Sequence, residues 1–480
     1  MFPLTLDSLN RWLCILVVLG MAGCARFHPQ PLSPAETATS LDERRLDDPQ
    51  FRGFLETNLS RSFPEWPPKA WDFDMLTLAA FYYHPSLDVA RAEWAVAVGG
   101  DKTAAQRPNP VLSAVPGYSF DPASGSTYTP WIPGVSLDVP IETAGKRGYR
   151  MAQSRHLSDA ARLNIATTAW QVRSNLRSSL IDLSGARARE TLLRHQLDLQ
   201  DKLVKSLEQQ FQAGAVANTD LTTTRIARDK VRFDWLDAQR LGADSVARVA
   251  DAIGVPVSAV EAINLAPDLF PPVPADELTT TEVRRAALLG RSDILGALAE
   301  YAASQSALQL EIAKQYPDIH LGPGYQYDQG NQLVTLGLTL ELPVLSQNQG
   351  PIAEAAANRA LAAAQFLELQ AKVMNEIDSA LAGYRAASGQ LATLESLQEA
   401  QAQQSKAVES QAEAGEAAPL DTLNADVEED TAEEAALDGR LKMQQAVGAL
   451  EDAMQRPIPE LKPSAIEQTQ RPRAMKETHP

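Results

Sequence analysis

The chain is written twice. His84-Pro85-Ser86-Leu87 through Trp94 matches Arg291-Ser292-Asp293-Ile294 through Tyr301 at an offset of 207, and Pro110 with Pro116-Gly117-Tyr118 matches Pro317 with Pro323-Gly324-Tyr325 at the same offset. Farther along, Leu137-Asp138-Val139-Pro140-Ile141 matches Leu340-Glu341-Leu342-Pro343-Val344 at 203, so the first loop is four residues longer. Ala213-Gly214 with Asp220 matches Ala414-Gly415 with Asp421, and Pro256 matches Pro457, both at 201. An ordered series of matches with a slowly drifting offset marks one structural unit used in tandem, which constrains the fold more than any single segment does.

Each half reads as a medium helix, two short strands, a very long helix, a glycine turn and another long helix. Repeat 1 is expected over 71–256, with strands at about 111–120 and 131–141 and long helices at about 146–212 and 220–254. A linker, 257–277, leads to repeat 2 over 278–457, with strands at about 318–327 and 332–344 and helices at about 352–413 and 420–455, before a polar tail, 458–480. The strands rest on period-two alternation. Val334, Leu336, Leu338, Leu340 and Leu342 alternate with Leu333, Thr335, Gly337, Thr339 and Glu341; Ile319, Leu321, Pro323, Tyr325 and Tyr327 alternate with mostly polar or small partners; and Asp328-Gln329-Gly330-Asn331 joins these two runs as a hairpin. The helices rest on proline-free stretches with apolar steps such as Leu176, Leu180, Leu183, then Leu193, Leu197 and Val204, Leu207, Phe211. That is coiled-coil-like spacing, and about 66 helical residues would extend on the order of 100 Å.

Arg11, the apolar run Trp12 to Gly20 and Met21-Ala22-Gly23-Cys24 have the form of a secretory signal with small residues before a cysteine. Residues 1–23 are therefore expected to be a lipoprotein signal peptide, Cys24 the lipid attachment site, and 24–70 a lipidated N-terminal linker. The alternative is an ordinary signal peptide with an incidental cysteine. Cys14, the one other cysteine, lies in the segment to be removed, so no disulfide is expected despite the oxidising compartment. No later stretch reaches the roughly 18 apolar residues of a membrane-spanning helix, so a spanning part must be a β-barrel. Four strands cannot close a barrel, and open edges are not tolerated in lipid, so a membrane reading requires several chains to share one. A soluble sandwich would show the same alternation.

Catalysis finds little support. His28, His84, His156, His195, His320 and His479 form no close-spaced metal pair, and the methionines form no copper ladder. Gly145-Lys146 suggests a phosphate loop, but Pro140 stands at the required first glycine and Arg147 at the Ser/Thr position. No cofactor, metal site or catalytic residue is expected, and the net charge of -18 disfavours nucleic acid.

Paired hairpins, long helices, two repeats and a lipobox together resemble the TolC family of outer-membrane factors, over about Trp71 to Pro457. The specific stretches are the helix ending His84-Pro85, Gly145-Lys146-Arg147-Gly148 after the second strand, and Leu342-Pro343 followed by Asn348-Gln349-Gly350. The last two are similar to the branch associated with heavy-metal efflux by resistance-nodulation-division (RND) pumps. The resemblance implies a mostly α fold with a small β part. In it, coiled-coil helices form an α-barrel, and each chain gives four strands to a trimeric 12-stranded β-barrel in the outer membrane. It also implies a homotrimer working with a periplasmic adaptor protein and an inner-membrane RND-type pump.

By that resemblance the adaptor-contacting tips are the two helix turns, with Gly214, Ala215, Asn218, Thr219 and Asp220 in the first and Gly415, Pro419 and Asp421 in the second. Local chemistry explains the same residues as caps: glycine stops the first helix, and Asn218, Thr219 or Asp220 start the next, as Pro419 and Asp421 do for its counterpart. The family often closes this end with two acidic residues three positions apart. Here Asp421 matches the first, but the second falls on Asn424, and a basic residue common nearby falls on Ala417. Asp421, Asp426 and Glu429 are candidates for an acidic ring in the lumen, with Asp430 and Glu433 close by, although a charge run of this kind is more often simply a solvated helix face. The function expected is a passive exit duct for small molecules or metal ions. A protein-secretion conduit and a pore-less lipid-anchored tether remain as alternatives.

Overall fold

A computed structural model describes residues 26–120, 129–270 and 280–458. Cys24, the 1–23 signal and nearly all of the 458–480 tail lie outside the described residues. The chain divides into two units at Arg44. The first contributes one short helix, α1 (Pro34–Asp42), whose N-terminus is capped by Ser33 and which buries no side chain.

The second unit holds both repeats. Repeat 1 contains α3 (Phe73–Tyr83), α4 (Pro85–Ala104), β1 (Val111–Tyr118), β2 (Trp131–Ile141), α5 (Lys146–Gln212) and α6 (Asn218–Ile253). It is preceded by α2 (Pro49–Leu59) and followed by the single turn α7 (Val257–Glu261). Repeat 2 contains α8 (Thr280–Gly290), α9 (Ser292–Ala313), β3 (Ile319–Asp328), β4 (Asn331–Leu340), α10 (Gln349–Glu413) and α11 (Pro419–Met454). With 67 residues in α5 and 65 in α10, each long helix runs on the order of 100 Å at about 1.5 Å per residue. Both start beside a residue in the left-handed region, Gly145 at φ 73° and Asn348 at φ 62°, at equivalent places in the two repeats. Glycine and asparagine are the residues that adopt this conformation most cheaply.

The four strands form one antiparallel sheet in the order β1-β2-β3-β4. The β3–β4 turn places Gln329 at φ 46° and Gly330 at φ 94°, the two positive φ values that a type I′ hairpin requires. Register puts Ile319, Leu321, Pro323 and Tyr325 opposite Leu340, Leu338, Leu336 and Val334, so the apolar rows of both strands share a face. Strand β2 continues that face through Val135 opposite Tyr325 and Val139 opposite Leu321. On the other face Gly322 lies opposite Gly337 and Gly324 opposite Thr335. A Cβ on Gly337 would stand 3.3 Å from the Gly322 carbonyl oxygen, and one on Gly324 2.7 Å from Thr335 Oγ1. Small residues on one face let the strands close up there, which favours a sheet curved with its polar side inward.

Each repeat has its own core below the sheet. The first gathers Phe51, Leu55, Phe63, Trp71, Leu76, Leu87, Leu176, Leu180, Val249 and Ile253; the second gathers Val283, Ile294, Val373, Ile377, Tyr384, Val447 and Leu450. The segment expected as a linker is thus packed structure from Arg45 onward. Asp48 caps α2, its Phe51 and Leu55 are fully buried one turn apart, and Trp66 Nε1 donates to the Asp47 carbonyl at 2.7 Å. The driving force is aromatic burial, with Phe51 in ring contact with Trp66, Trp71, Tyr82 and Tyr83.

Candidate membrane sheet, helical tips and the seam between repeats

Among the described residues, nothing covers the apolar side of the sheet. Every residue of β4 is exposed, Val334 at 83%, and on the apolar face Leu336, Leu338, Leu112 and Trp131 are exposed with it. Tyr118, Phe120 and Trp131 gather at one end, with ring centroids 5.2–5.3 Å apart edge to face. A contiguous bare apolar face with an aromatic end is costly in water and suited to lipid. Strands β1 and β4 each lack a partner on one edge among the described residues, leaving ladder groups of the backbone unpaired. Among the described residues, no helix is long and apolar enough to cross a membrane.

The segment after β2 ties the sheet to the helices. Lys146 Nζ donates to Asp318 at 2.8 Å, and the Thr143 backbone N–H donates to the same carboxylate oxygen at 2.9 Å. Although burial by itself would raise it, these donors hold the Asp318 carboxyl below its ordinary value. Arg147 Nε and Arg150 Nε donate to the Ala105 and Ala104 carbonyls at the end of α4, which lack partners within that helix.

At the opposite end of the long helices the two turns come together. Val204, Leu207 and Leu221 form a small core onto which Val216 of the first turn and Leu420 of the second pack. Gly214 (φ 73°) and Gly415 (φ 78°) reverse the chain, with Ala215 N donating to the Gln210 carbonyl and Glu416 N to that of Gln411, both at 2.8 Å. A Cβ at either glycine would meet open space. Gly214, Ala215, Asn218, Thr219, Asp220, Gly415, Pro419 and Asp421 are all exposed. The expected capping by Asn218, Thr219 or Asp220 is not what the first turn does. Ala217 is the N-cap of α6 without a side-chain bond, and Asn218 is already helical. In the second turn Pro419 occupies the first helical turn, and Asp421 accepts from the Ala418 backbone N–H at 2.9 Å.

The acidic residues of α11 take separate partners. Asp421 caps its own helix, Asp426 accepts from Ser405 Oγ of α10 at 3.0 Å, and Glu429 is half-buried. Asp430 is only 6% exposed and lies 2.9 Å from His195 Nδ1 of α5, so it belongs to a helix seam. Burial pushes its carboxyl up, and His195 partly offsets this.

That seam holds the charged residues that sequence reasoning missed. Glu451 of α11, 1% exposed, accepts from Arg173 at 2.9 Å and from Arg177 at 3.0 Å, both buried on α5. Arg173 lies over the Phe73 and Trp170 rings and Arg177 over Phe270. Next to them Asp452 accepts from Trp170 Nε1 at 2.9 Å and from Ser174 Oγ at 2.5 Å. Burial raises the Asp452 carboxyl, and burial together with Arg173 lowers the Arg177 guanidinium. Further along, Arg189 pairs with Asp438. The repeats are joined by charge pairs across α5 and α11, and by strand pairing between β2 and β3. Among the described residues no group of three or more His, Cys, Asp or Glu side chains is placed to hold a metal ion.

Comparison with known proteins agrees with this architecture. The chain is 24% identical over 270 residues to the cobalt-zinc-cadmium resistance protein CzcC of Cupriavidus metallidurans, a match covering 55% of this chain and 61% of that relative. The outer-membrane channel OprN superposes with a TM-score of 0.66 at 18% identity, covering 90% of this chain and 98% of that one. VceC, an outer membrane protein of Vibrio cholerae, superposes with a TM-score of 0.65 at 18% identity, over 80% of this chain and 96% of that one. At these identities the superpositions establish the fold: a mostly helical chain with a small sheet. The outer membrane efflux protein family model matches residues 82–255 and again 283–455, one match for each repeat. The chain belongs to the outer membrane efflux protein family.

Proposed function

We propose that the protein is the outer-membrane exit duct of a tripartite efflux system, passing small molecules or metal ions delivered by an inner-membrane RND-type pump through a periplasmic adaptor. The observation that carries this reading is the bare apolar sheet with two open edges, mounted on helices long enough to reach far into the periplasm. Three copies would supply twelve strands, an even number suited to a closed barrel. Cys24 would add lipid as a second hold on the outer membrane. The relative named for cobalt, zinc and cadmium resistance makes divalent metal ions the first substrates to test. In a strain lacking the gene, cells should become more sensitive to these ions or to a drug panel and recover when it is restored. Unchanged sensitivity, together with loss of a secreted protein, would favour the protein-secretion alternative.

The exposed turns are the adaptor contact in this reading. Gly214→Glu or Gly415→Glu should abolish efflux while oligomers still assemble, because a Cβ meets open space at both sites. The folding cost is limited to about 1–2 kcal/mol for the left-handed backbone. Native gels alongside resistance assays read both effects, and undiminished resistance would remove the turns from the contact. For the acidic residues, neutralising Asp421, Asp426 and Glu429 together should lower the preference for cations, measured as a reversal potential across a salt gradient. An unchanged potential would leave them as capping and surface groups.

A further inference from the structure

The two faces of the sheet differ in what they present, and the polar one is nearly bare of side chains for much of its length. Gly134 of β2, Gly322 and Gly324 of β3 and Gly337 of β4 all lie on it. At the end nearer the helices Asp138 of β2 and His320 of β3 break the pattern. His320 Nδ1 lies 3.0 and 3.1 Å from the two carboxylate oxygens of Asp138, and both side chains are half-buried. Register sets Pro140 opposite His320 and Leu321 opposite Val139, which leaves Gly322 opposite Asp138. The pair therefore crosses the sheet diagonally beside a residue with no side chain, and that gap gives the imidazole its room. Sequence spacing hides the contact, because 182 positions separate its members.

The sheet does not require this pair. Carried back by 207, His320 becomes Ser113 of β1, and Asp138 carried forward by 203 becomes Glu341, just past β4. Those equivalent strands form their ladders with no imidazole, so the pair is an addition to the shared plan and occurs once per chain. A carboxylate only accepts, so Nδ1 carries the proton and, in the neutral ring, Nε2 carries the free lone pair. Among the described residues Nε2 has no hydrogen-bond partner. An imidazole whose N–H is held by a carboxylate is the arrangement found behind metal-bound histidines, where the carboxylate fixes the ring and makes the other nitrogen a better donor. The surroundings carry spare negative charge. Lys146 pairs with Asp318 and Arg150 with Glu142, whereas among the described residues no cation pairs with Glu341. Glu341 continues the polar face past Thr339, which itself lies opposite His320.

We propose that His320 is a transit ligand for borderline divalent cations such as Zn²⁺ and Co²⁺, with Asp138 as the residue that positions its ring. The proposal rests on the channel reading, since transit needs a lumen, but the site itself lies within one chain. One imidazole completed by water holds a metal ion weakly, and among the described residues no set of three His, Cys, Asp or Glu side chains closes a cage around it. Weak holding is what a duct needs, because an ion that enters must also leave. The imidazole also adds a distinction that carboxylates do not make. Charge alone draws Zn²⁺ and Mg²⁺ alike, while an imidazole nitrogen ligates Zn²⁺ and Co²⁺ and passes over Mg²⁺, which keeps to oxygen and water.

Single channels of the full-length protein in a planar bilayer read the ligand directly. In the wild type Zn²⁺ and Co²⁺ should reduce the current at concentrations at least about tenfold below those needed with Mg²⁺. Asp138→Asn should raise the effective Zn²⁺ concentration by about tenfold or more, the usual cost of losing such a partner. His320→Gln, which keeps a donor for Asp138, should bring Zn²⁺ to the level of Mg²⁺, each scaled to the variant's own metal-free current. Equal block by Zn²⁺ and Mg²⁺ in the wild type would overturn ligation and leave a charged rim. Preferential Zn²⁺ block that survives His320→Gln would overturn the assignment to this residue. The metal-free current decides the channel reading separately. Carbethoxylation of His320 by diethyl pyrocarbonate, followed by peptide mass spectrometry on detergent-purified protein, reads the ligand without any current. Zn²⁺ should slow this modification and Mg²⁺ should not, and equal rates with both ions would overturn the proposal.

Discussion

Glu451→Ala is expected to cost about 3–5 kcal/mol of folding stability, the largest single effect in this molecule, because it strands two buried guanidinium groups. Glu451 is bonded by both Arg173 and Arg177, and its other oxygen accepts from the Ile458 backbone N–H at 3.0 Å. Asp452 cannot substitute for it, since its oxygens are taken by Trp170 and Ser174. The residues joined lie 274 and 278 positions apart, so the loss falls on the connection between repeats. Denaturant unfolding of purified protein should show the lowered midpoint, and outer-membrane levels should fall with it. Glu451→Gln keeps the shape and an acceptor and should cost less. A midpoint for Glu451→Ala within about 0.5 kcal/mol of wild type, the range of ordinary surface substitutions, would mean that the cluster does not hold the repeats together.

Gly254→Ala is the second large effect. Gly254 ends α6 at φ 83°, and a Cβ there would stand 3.0 Å from both the Tyr83 carbonyl oxygen and the His84 Cα. Those atoms are backbone, at the α3–α4 break set by Pro85, and cannot rotate away. Gly214→Ala serves as the control, since it has a similar φ and open space. The backbone penalty, about 1–2 kcal/mol, is common to both, so the difference reports the close approach alone. Gly254→Ala should exceed Gly214→Ala by about 1–3 kcal/mol, the usual scale for overpacking. Equal midpoints would show that the break can move aside. At the equivalent position of repeat 2, Gln455 holds φ 47°, and its Oε1 accepts from both Ser292 N and Ser292 Oγ, at 2.9 and 2.8 Å. One repeat relies on the absence of a side chain, the other on a bond from one.

The features that were legible in the sequence are those whose signal is local and periodic. Alternation marked the strands, and Gln329-Gly330 marked the hairpin, because a two-residue turn leaves little choice of register. Gly214 and Gly415 marked the reversals because a helix end needs a left-handed residue there. What escaped lay across long sequence separations. Arg173 and Arg177 flank Leu176 on a buried stripe, but nothing near them announces Glu451, so charged helical residues looked like a solvated face. Helical angle alone groups Asp430 with Asp426 and Glu429, while His195, which draws it into the seam, sits 235 residues away. Residues 45–70 read as a linker from their place ahead of the repeat, although Asp48-Pro49 followed by Phe51 and Leu55 is a local helix start with an apolar stripe.

In the proposed function the bare sheet becomes a shared pore through the outer membrane. Purified oligomer added to a planar lipid bilayer should insert and give discrete, uniform current steps in salt solution. Folded, membrane-inserted oligomer that passes no current would contradict it and return the chain to the role of a lipid-anchored tether.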